Sequence, residues 1–336
     1  MPRVTVLIPN YNGAQFLDHC FQGLLGQTLQ NFRCIFLDDG SLDDSLEIAA
    51  RYQVNLPQME IRAFPNGGIA TNWNRGIDLV ETEFFSLLHC DDSYEPGYLE
   101  GMIRLLDAYP DSALGHCASQ AIDHRSLAVF SITEFYKHAR FLPAIAFQRD
   151  ISDEYDLLLM ADFINCPSVM YRTQAVQKIG KFDLALEQTL DWDYWFRCLR
   201  SGYKICGTNQ KLYRYRRHAD NHTVVNSKTM KRYHEELACL ESAISRGAAL
   251  GISCDVLDTS GLRNIVIVDI ANALRDGNKS MVGPLVNFLE VKLSATRITL
   301  SLLRPFILLK RFGGHMLFFV IRMIVFSVAL RTKIAS

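Results

Sequence analysis

The sequence predicts an α/β protein: a mostly parallel sheet flanked by helices, followed by a C-terminal helical extension. Three observations predict it. Four short apolar runs alternate with four stretches of helical spacing before Asp111. Each run stops at a cluster of Asp, Asn, Ser or Gly, and beyond Thr223 the periodicity is helical only. Strand–helix alternation is the pattern of parallel sheets with crossover helices. Ligands of such sheets sit beyond the carboxyl ends of the strands, where every one of these clusters falls.

The first strand is expected over 4–8, β-branched and apolar on both faces. Pro9-Asn10-Tyr11-Asn12-Gly13 breaks it, and a helix follows over 14–29. A second strand over 33–37 ends at Asp38-Asp39-Gly40-Ser41, and Ser41 or Asp43 can cap a helix over 44–52. A third strand, 59–64, leads through Pro65-Asn66-Gly67-Gly68 into a helix over 69–80. The fourth, starting at Phe84, ends at His89-Cys90-Asp91-Asp92, with a helix from Pro96 to Tyr109. From Asp111 to Tyr155 the pattern weakens: a strand is expected over 115–121, and 125–150 gives no clear element. Helix then strand is expected over 156–171, with short helices at 173–179 and 192–201 and short strands at 203–205 and 212–215. Helical segments follow near 230–246, 262–275 and 282–299.

Composition narrows the function classes. The 336 residues carry a formal charge of −1, but this hides an asymmetry. From Val291 onward there are eight Lys/Arg and no acid, leaving 27 basic against 36 acidic residues in the rest. An acidic body argues against nucleic acid as a partner, and a basic apolar tail suits anionic lipid. The nine cysteines show no C-x-x-C and no zinc spacing, and Met1-Pro2-Arg3 enters a strand without an apolar leader. Both point to a reducing, cytoplasmic setting. In the tail, 316–330 is apolar except for Arg322 and Ser327. A spanning helix needs about 20 apolar residues. A central arginine costs about 2.5–3.5 kcal/mol on insertion scales. The expectation is therefore a helix lying in the interface at the inner face of the plasma membrane. Packing on its own domain or on a second copy in a homodimer is the alternative.

Asp91-Asp92 ends an apolar run that has no use for paired charge, since like charges so close repel and resist burial. Taken alone the pair is equally a helix cap or a solvated turn, and Asp38-Asp39 carries the same ambiguity. Two acidic strand ends in one sheet make a site for a divalent cation, or for ribose hydroxyls and base N–H groups. Asn66-Gly67-Gly68 is a turn in which backbone can approach a ligand. Leu190-Asp191-Trp192-Asp193-Tyr194-Trp195 is either a capped helix start over core aromatics or a carboxylate placed for general-base work on a sugar hydroxyl. Tyr213-Arg214-Tyr215-Arg216-Arg217-His218 is either a basic edge strand or a diphosphate clamp. No G-x-G-x-x-G or Walker loop occurs.

In this order, Ile8-Pro9-x-Tyr11-Asn12, Asp38-Asp39-Gly40-Ser41 with Asp43, Asn66-x-Gly68 through Asn74-x-Gly76, Asp91-Asp92 with Pro96, Gly180-x-Phe182-Asp183, Asp191-Trp192-Asp193-Tyr194-Trp195-x-Arg197 and Tyr215-Arg216-x-His218 resemble the family 2 inverting glycosyltransferases, which have the GT-A fold. The resemblance covers about residues 4–223. It implies a glycosyltransferase domain over 1–222, with a helical extension over 223–303 and the tail over 304–336. It implies a nucleotide-diphosphate sugar donor, UDP-linked, and a hydroxyl of a glycan or lipid-linked acceptor in cell-surface polysaccharide synthesis. Pro9, Tyr11, Asp39, Asn66 and Gly68 would hold the nucleoside. Asp91 would lie near the ribose or sugar, and Asp92 on Mg2+ or Mn2+ bridging the diphosphate. Arg216 and His218 would help the leaving diphosphate, and Asp191 would be the catalytic base. Two departures stand out: His89 and Leu190 occupy places where many relatives have an acid. They motivate the alternative of a non-catalytic nucleotide-sugar or glycan-binding relative. A nucleotidyltransferase, the other alternative, is weakened by the missing Gly-rich triphosphate loop.

Overall fold

β1 (Val4–Asn10) lies at the centre of the first half of the fold, its residues buried apart from Pro9, which is half-buried. The computed structural model describes residues 1–218, 226–252, 260–293, 316 and 319–320. α1 (Ala14–Leu25) buries Leu17, Cys20, Phe21 and Leu24, the i, i+3, i+4, i+7 stripe of a helix packed on a sheet. It stops short of the expected end. The buried Gln27 side chain donates to Gly23 O and Glu95 O and accepts from Leu99 N, drawing the chain out of helical geometry. β2 (Arg33–Asp38), α2 (Ser45–Gln53), β3 (Met59–Ala63), α3 (Ile69–Asp78) and β4 (Phe84–Leu87) complete the alternation.

β1 pairs in parallel with β2 and β4, and β2 with β3, in a register that aligns Asn10, Asp38 and Ala63. The carboxyl ends of these strands therefore share one edge, and the loops that follow them meet there. After β5 (Ser93–Tyr94) and α4 (Tyr98–Ala108) come β6 (Ser112–Ile122), α5 (Ile132–Phe141), β7 (Phe147–Gln148) and α6 (Ile151–Met160). A 3-10 turn, Cys166–Ser168, then leads into β8 (Val169–Arg172), α7 (Thr173–Ile179), α8 (Leu190–Arg200) and β9 (Lys204–Arg216). Among the described residues these strands form one sheet in the order β3-β2-β1-β4-β8-β6-β9-β5, with β7 also on β9. β8 runs antiparallel to both β4 and β6, and β6 runs parallel to β9.

Two expectations are corrected. The strands expected at 203–205 and 212–215 are one strand, β9, whose pairing with β6 shifts register between Cys117, Ala118 and Ser119. The irregularity admits the polar run from Thr208 to Lys211 in mid-strand. The stretch 125–150 contains α5, capped by Ser131 Oγ accepting from Glu134 N. Its residues from Glu134 to Arg140 are all half-buried, and Ile132, Phe135, Tyr136 and Ala139 stand at helical spacing along it.

Two compact units are distinguished: Met1–Tyr155 with Phe163–His218, and Asp156–Asp162 with Ala219–Ser336. In the second, α9 (Lys231–Ala248), α10 (Ser260–Arg275) and α11 (Lys279–Asn287) bury Tyr233, Leu240, Val266, Ile270 and Leu285. The Tyr233 hydroxyl donates to Asp269 Oδ2 at 2.8 Å. The expected tail, 304–336, lies outside the described residues except for 316 and 319–320. Among the described residues no helix is long and apolar enough to cross a membrane.

Candidate active site

The loops after β1 and β2 are stitched together at the shared edge. Asp38 is buried and accepts from Asn10 Nδ2 at 3.0 Å and Ser41 N at 2.9 Å. Ser41 Oγ in turn accepts from Asn10 Nδ2 and Asn12 N. Gly40 has φ +77°, and a Cβ there would meet Asn66 N at 3.0 Å, so only glycine lets this loop touch the turn after β3. Asp39 holds that turn: its carboxylate accepts from Gly67 N and Gly68 N, each at 2.9 Å, and from Arg75 Nη1 on α3 at 2.9 Å. Asn66, Gly67, Gly68 and Tyr11 are exposed around it, and Pro9 is half-buried. Asp39 thus works first as an anchor for the Asn66–Gly68 turn. Oδ1 takes both Gly67 N and Arg75 Nη1, so Oδ2, bound only by Gly68 N, is the oxygen that keeps a lone pair for a ligand donor.

The acidic pair after β4 is split by burial. Asp92 is 1% exposed. One of its oxygens accepts from the Tyr213 hydroxyl, and the other accepts from Arg216 N at 2.7 Å. Burial, with Asp91 adjacent, raises its pKa well above the usual carboxylate range. The Asp91 side chain is 20% exposed and its Oδ2 lies 3.0 Å from His218 Nε2. His89, Asp91 and Asp92 each bring one ligand atom to a group whose atoms lie within 4.8 Å of one another.

Arg216 is 1% exposed, and its guanidinium faces protein. Nε donates to Asp91 O at 2.7 Å, one Nη to Asp123 O at 2.8 Å and the other to Ser126 Oγ at 2.9 Å. It therefore ties the Asp91 backbone to the turn after β6, a different placement from the expected diphosphate clamp. Phe16 on α1 lies under both of its neighbours here, 4.8 Å from the His218 ring and 5.4 Å from the Arg216 guanidinium.

Asp191 stands in the first turn of α8, half-buried, its Oδ1 accepting from Trp192 N at 2.9 Å. A run of rings connects this helix to the acidic cluster: Tyr194 to Phe182 at 4.8 Å, Phe182 to Trp73 at 5.0 Å, and Trp73 to His89 at 5.3 Å. Asn74 fixes the middle of that run, its side chain donating to Phe182 O at 2.9 Å and accepting from Phe182 N at 3.0 Å. Leu190 is 3% exposed. At this position the fold packs an apolar side chain, where a carboxylate would have to be buried.

Sequence reasoning brought Asp91, Asp92, Arg216 and His218 to one place, and Asp39, Asn66 and Gly68 to another. It missed Tyr213, Phe16, Trp73 and Arg75. Tyr213 lay inside a quoted motif, but its alternation with arginines read as an edge strand. Nothing in a helical pattern distinguishes Phe16 or Trp73 from core residues.

Residues 5–155 match the model of the family described as glycosyl transferase family 2. The chain carries a family 2 glycosyltransferase domain. It is 27% identical over 235 residues to an uncharacterized glycosyltransferase of Rickettsia prowazekii, covering 70% of each chain. Similar glycosyltransferases of Rickettsia typhi and Rickettsia felis are matched over 59% and 32% of their own length. The fold is similar to Staphylococcus aureus TarS 1-349 in complex with UDP-GlcNAc, at TM-score 0.55 and 16% identity, covering 96% of this chain and 91% of that one. It is also similar to a Pyrobaculum calidifontis mannosyltransferase in complex with GDP-Man and Mn2+, at TM-score 0.55 and 14% identity, covering 87% and 86%. The glycosyltransferase domain thus has the GT-A fold.

The donor set of this domain fits a divalent cation. Two carboxylates and an imidazole within 4.8 Å match the span of one coordination sphere. Such sites use one or two carboxylates and leave positions for water and substrate phosphate. Asp91 is the carboxylate that faces solvent, and Asp92 reaches the group from its buried seat on Tyr213 and Arg216.

Proposed function

We propose that this glycosyltransferase moves a sugar from a nucleotide-diphosphate donor, UDP-linked, to a hydroxyl of a glycan or lipid-linked acceptor, with inversion and with Mn2+ or Mg2+ at His89, Asp91 and Asp92. The observation that carries the reading is the pairing, on one sheet edge, of that metal-competent group with the Asn66–Gly68 turn pinned by Asp39. Each lies where donors bind in open α/β sheets. The complexes of TarS with UDP-GlcNAc and of the mannosyltransferase with GDP-Man and Mn2+ support a nucleotide-sugar donor.

In this reading the turn and Tyr11 cradle the nucleoside, with Asp39 Oδ2 offering its remaining lone pair to a base N–H group. Asp91, His89 and Asp92 would hold the cation, Asp92 with a carboxylate that also anchors their loop through Tyr213 and Arg216. The cation would neutralise charge on the departing diphosphate. His89 favours Mn2+ over Mg2+, because Mg2+ takes oxygen ligands and dehydrates reluctantly. Asp191 accepts the proton of the acceptor hydroxyl as that oxygen forms its bond to the anomeric carbon. The bond from carbon to diphosphate oxygen breaks on the opposite face, which inverts the centre. Asn74 and the ring run from Tyr194 to Trp73 set the distance between base helix and metal loop.

The test is donor binding and nucleoside diphosphate release by purified protein across a panel of nucleotide sugars, with Mn2+, Mg2+ or chelator. UDP-sugar binding that requires metal is expected, and no binding of any donor refutes the reading. Asp191→Asn is expected to keep donor binding and lose at least about 100-fold in transfer, the scale of general-base catalysis. Retained turnover would assign the base elsewhere.

A further inference from the structure

The sheet order leaves one side of the metal loop without an assigned ligand. The donor elements, β1 to β3 and their loops, lie on one side of β4, and β6 and β9 lie beyond β8 on the other. β6 and β9 are parallel, with Ala121 opposite Tyr215 and Ile122 opposite Arg216, and Arg217 N continues the ladder to Ile122 O at 3.0 Å. Their carboxyl end thus carries Arg217 next to His218, which touches Asp91.

Three cations lie on that strand end and along α5, the helix whose N-cap it touches. Arg217 is exposed and donates Nη1 to Ser131 Oγ, the cap of α5, at 2.8 Å. Along α5, Lys137 donates Nζ to the neutral amide oxygen of Asn165 at 2.7 Å, and Arg140 lies over the Phe141 ring at 5.7 Å. Among the described residues none of the three forms an ion pair. Elsewhere in the same unit the acidic body supplies partners: Arg3 has Glu83 and Asp107, Arg33 has Glu60 and Glu81, and Arg149 has Glu154. The carboxylate on the same stretch of α5, Glu134, is held by Asn165 Nδ2 at 2.9 Å and by the Ser119 hydroxyl. Neutral donors fix it in place, and its charge offsets one of the three cations, so the group stays net positive. Tyr215, between Arg214 and Arg216 on β9, is near enough to Asp91, Asp92, Arg217 and Glu134 for the charges of all four to act on its hydroxyl.

We propose that Arg217, Lys137 and Arg140 form an acceptor subsite for a glycan bearing anionic groups, carboxylate or phosphate ester. This rests on the glycosyltransferase reading above. In that reading the cation held by His89, Asp91 and Asp92 would take the donor diphosphate, leaving cations beyond β4 for a second anion. Guanidinium forks suit carboxylate and phosphate oxygens alike. Tyr136, half-buried on α5 beside Lys137 in the chain and edge-on to Phe141, supplies a ring on the same helix.

The experiment uses the full chain with Mn2+ and UDP and measures binding of three matched oligosaccharide series. One contains uronate, one contains glycerol phosphate, and one is neutral N-acetylhexosamine. One anionic series is expected to bind at least ~10-fold tighter than the neutral series at 50 mM salt, an advantage that shrinks at 300 mM as charges are screened. Which anionic series binds identifies the group. Arg217→Gln and Lys137→Gln are each expected to weaken anionic binding ~5- to 10-fold, the scale of a charge-assisted contact, and to leave neutral binding unchanged. Equal binding of neutral and anionic series, no binding of either anionic series, or variants that alter neither overturns the inference. Donor binding in the same samples separates the outcomes. If UDP binds with Mn2+ and the charge series is flat, only the subsite fails; if UDP does not bind, the functional reading itself fails.

Discussion

Replacing Arg216 with Met removes the guanidinium and keeps most of the stem. Three hydrogen bonds disappear, to Asp91 O, Asp123 O and Ser126 Oγ. Bonds from a charged donor contribute about 1.5–3 kcal/mol each, so the gross loss is about 5–9 kcal/mol. Against it stands the desolvation of a charge that is 1% exposed in the fold, several kcal/mol that the variant no longer bears. Two carbonyl oxygens are left without that donor, and the net cost comes to about 2–4 kcal/mol. At about 2–4 °C per kcal/mol for a domain of this size, Tm should fall by roughly 5–15 °C. Arg216→Lys, with one donor group in place of the fork, should fall between wild type and Met. The assay is thermal unfolding alongside Mn2+-dependent UDP binding. A tie between the Asp91 backbone and the turn at 123–126 lowers both Tm and metal-dependent affinity together. A diphosphate clamp would lower affinity at unchanged Tm, and that result would refute the tie.

Three further outcomes follow from other contacts. Asp39→Asn turns two acceptor oxygens into one and sets an amide N–H against Gly67 N, Gly68 N or Arg75. Donor KM should rise about 10-fold, the worth of one or two such bonds, with a smaller change in kcat; an unchanged donor KM removes Asp39 from the donor site. His116 is 1% exposed in β6, where burial, reinforced by Arg149 and Lys137, pushes its pKa down to about 3. Its folded pKa lies below the unfolded 6.5, so the unfolded chain binds the extra proton and stability falls as pH drops from about 6.5 toward 3. At pH 5 this one group should cost about 2 kcal/mol relative to pH 7, and His116→Leu should remove that much of the difference between urea unfolding curves at the two pH values. If both proteins lose equal stability, His116 does not titrate as its burial implies. Deleting 304–336 should release the protein from anionic vesicles, and unchanged partitioning in a flotation assay rules out the tail as the membrane contact.

The half of the fold that alternates strand and helix was legible because each element announces itself locally. The run 4–8 is apolar throughout, α1 keeps a four-residue stripe, and polar clusters close each strand. In the β6–β9 half the elements at 115–121, 173–179 and 192–201 were legible, but the strand pairing was not, because it is non-local and interrupted. β9 carries exposed polar residues through Gln210 and Lys211 where the register with β6 shifts. A single sequence shows that stretch as a break between two strands. α5 was legible in part: Ser131 and Glu134 make a cap pattern and Ile132, Phe135, Tyr136 and Ala139 stand at helical spacing, but Lys137, His138 and Arg140 crowd so short a stripe.

The candidate site shows the same division between what is local and what is not. That two acids end β4 is written in the sequence; which of them meets solvent is decided by residues more than 120 positions later. Tyr213 and Arg216 reach Asp92 from β9 and take up both its oxygens, and Arg216 also grips the carbonyl of Asp91. The acid expected to carry the cation is the buried one. Each of its oxygens holds one protein donor and keeps a second lone pair toward the group it shares with His89 and Asp91. Asp91 is the acid that meets solvent. His89 gains meaning by the same argument. As a substitute for an acid it read as a loss of one ligand charge, but its ring packs on Trp73 and its nitrogen joins the Asp91–Asp92 group. A neutral nitrogen beside a solvent-facing carboxylate changes which cation the loop prefers more than whether it can hold one.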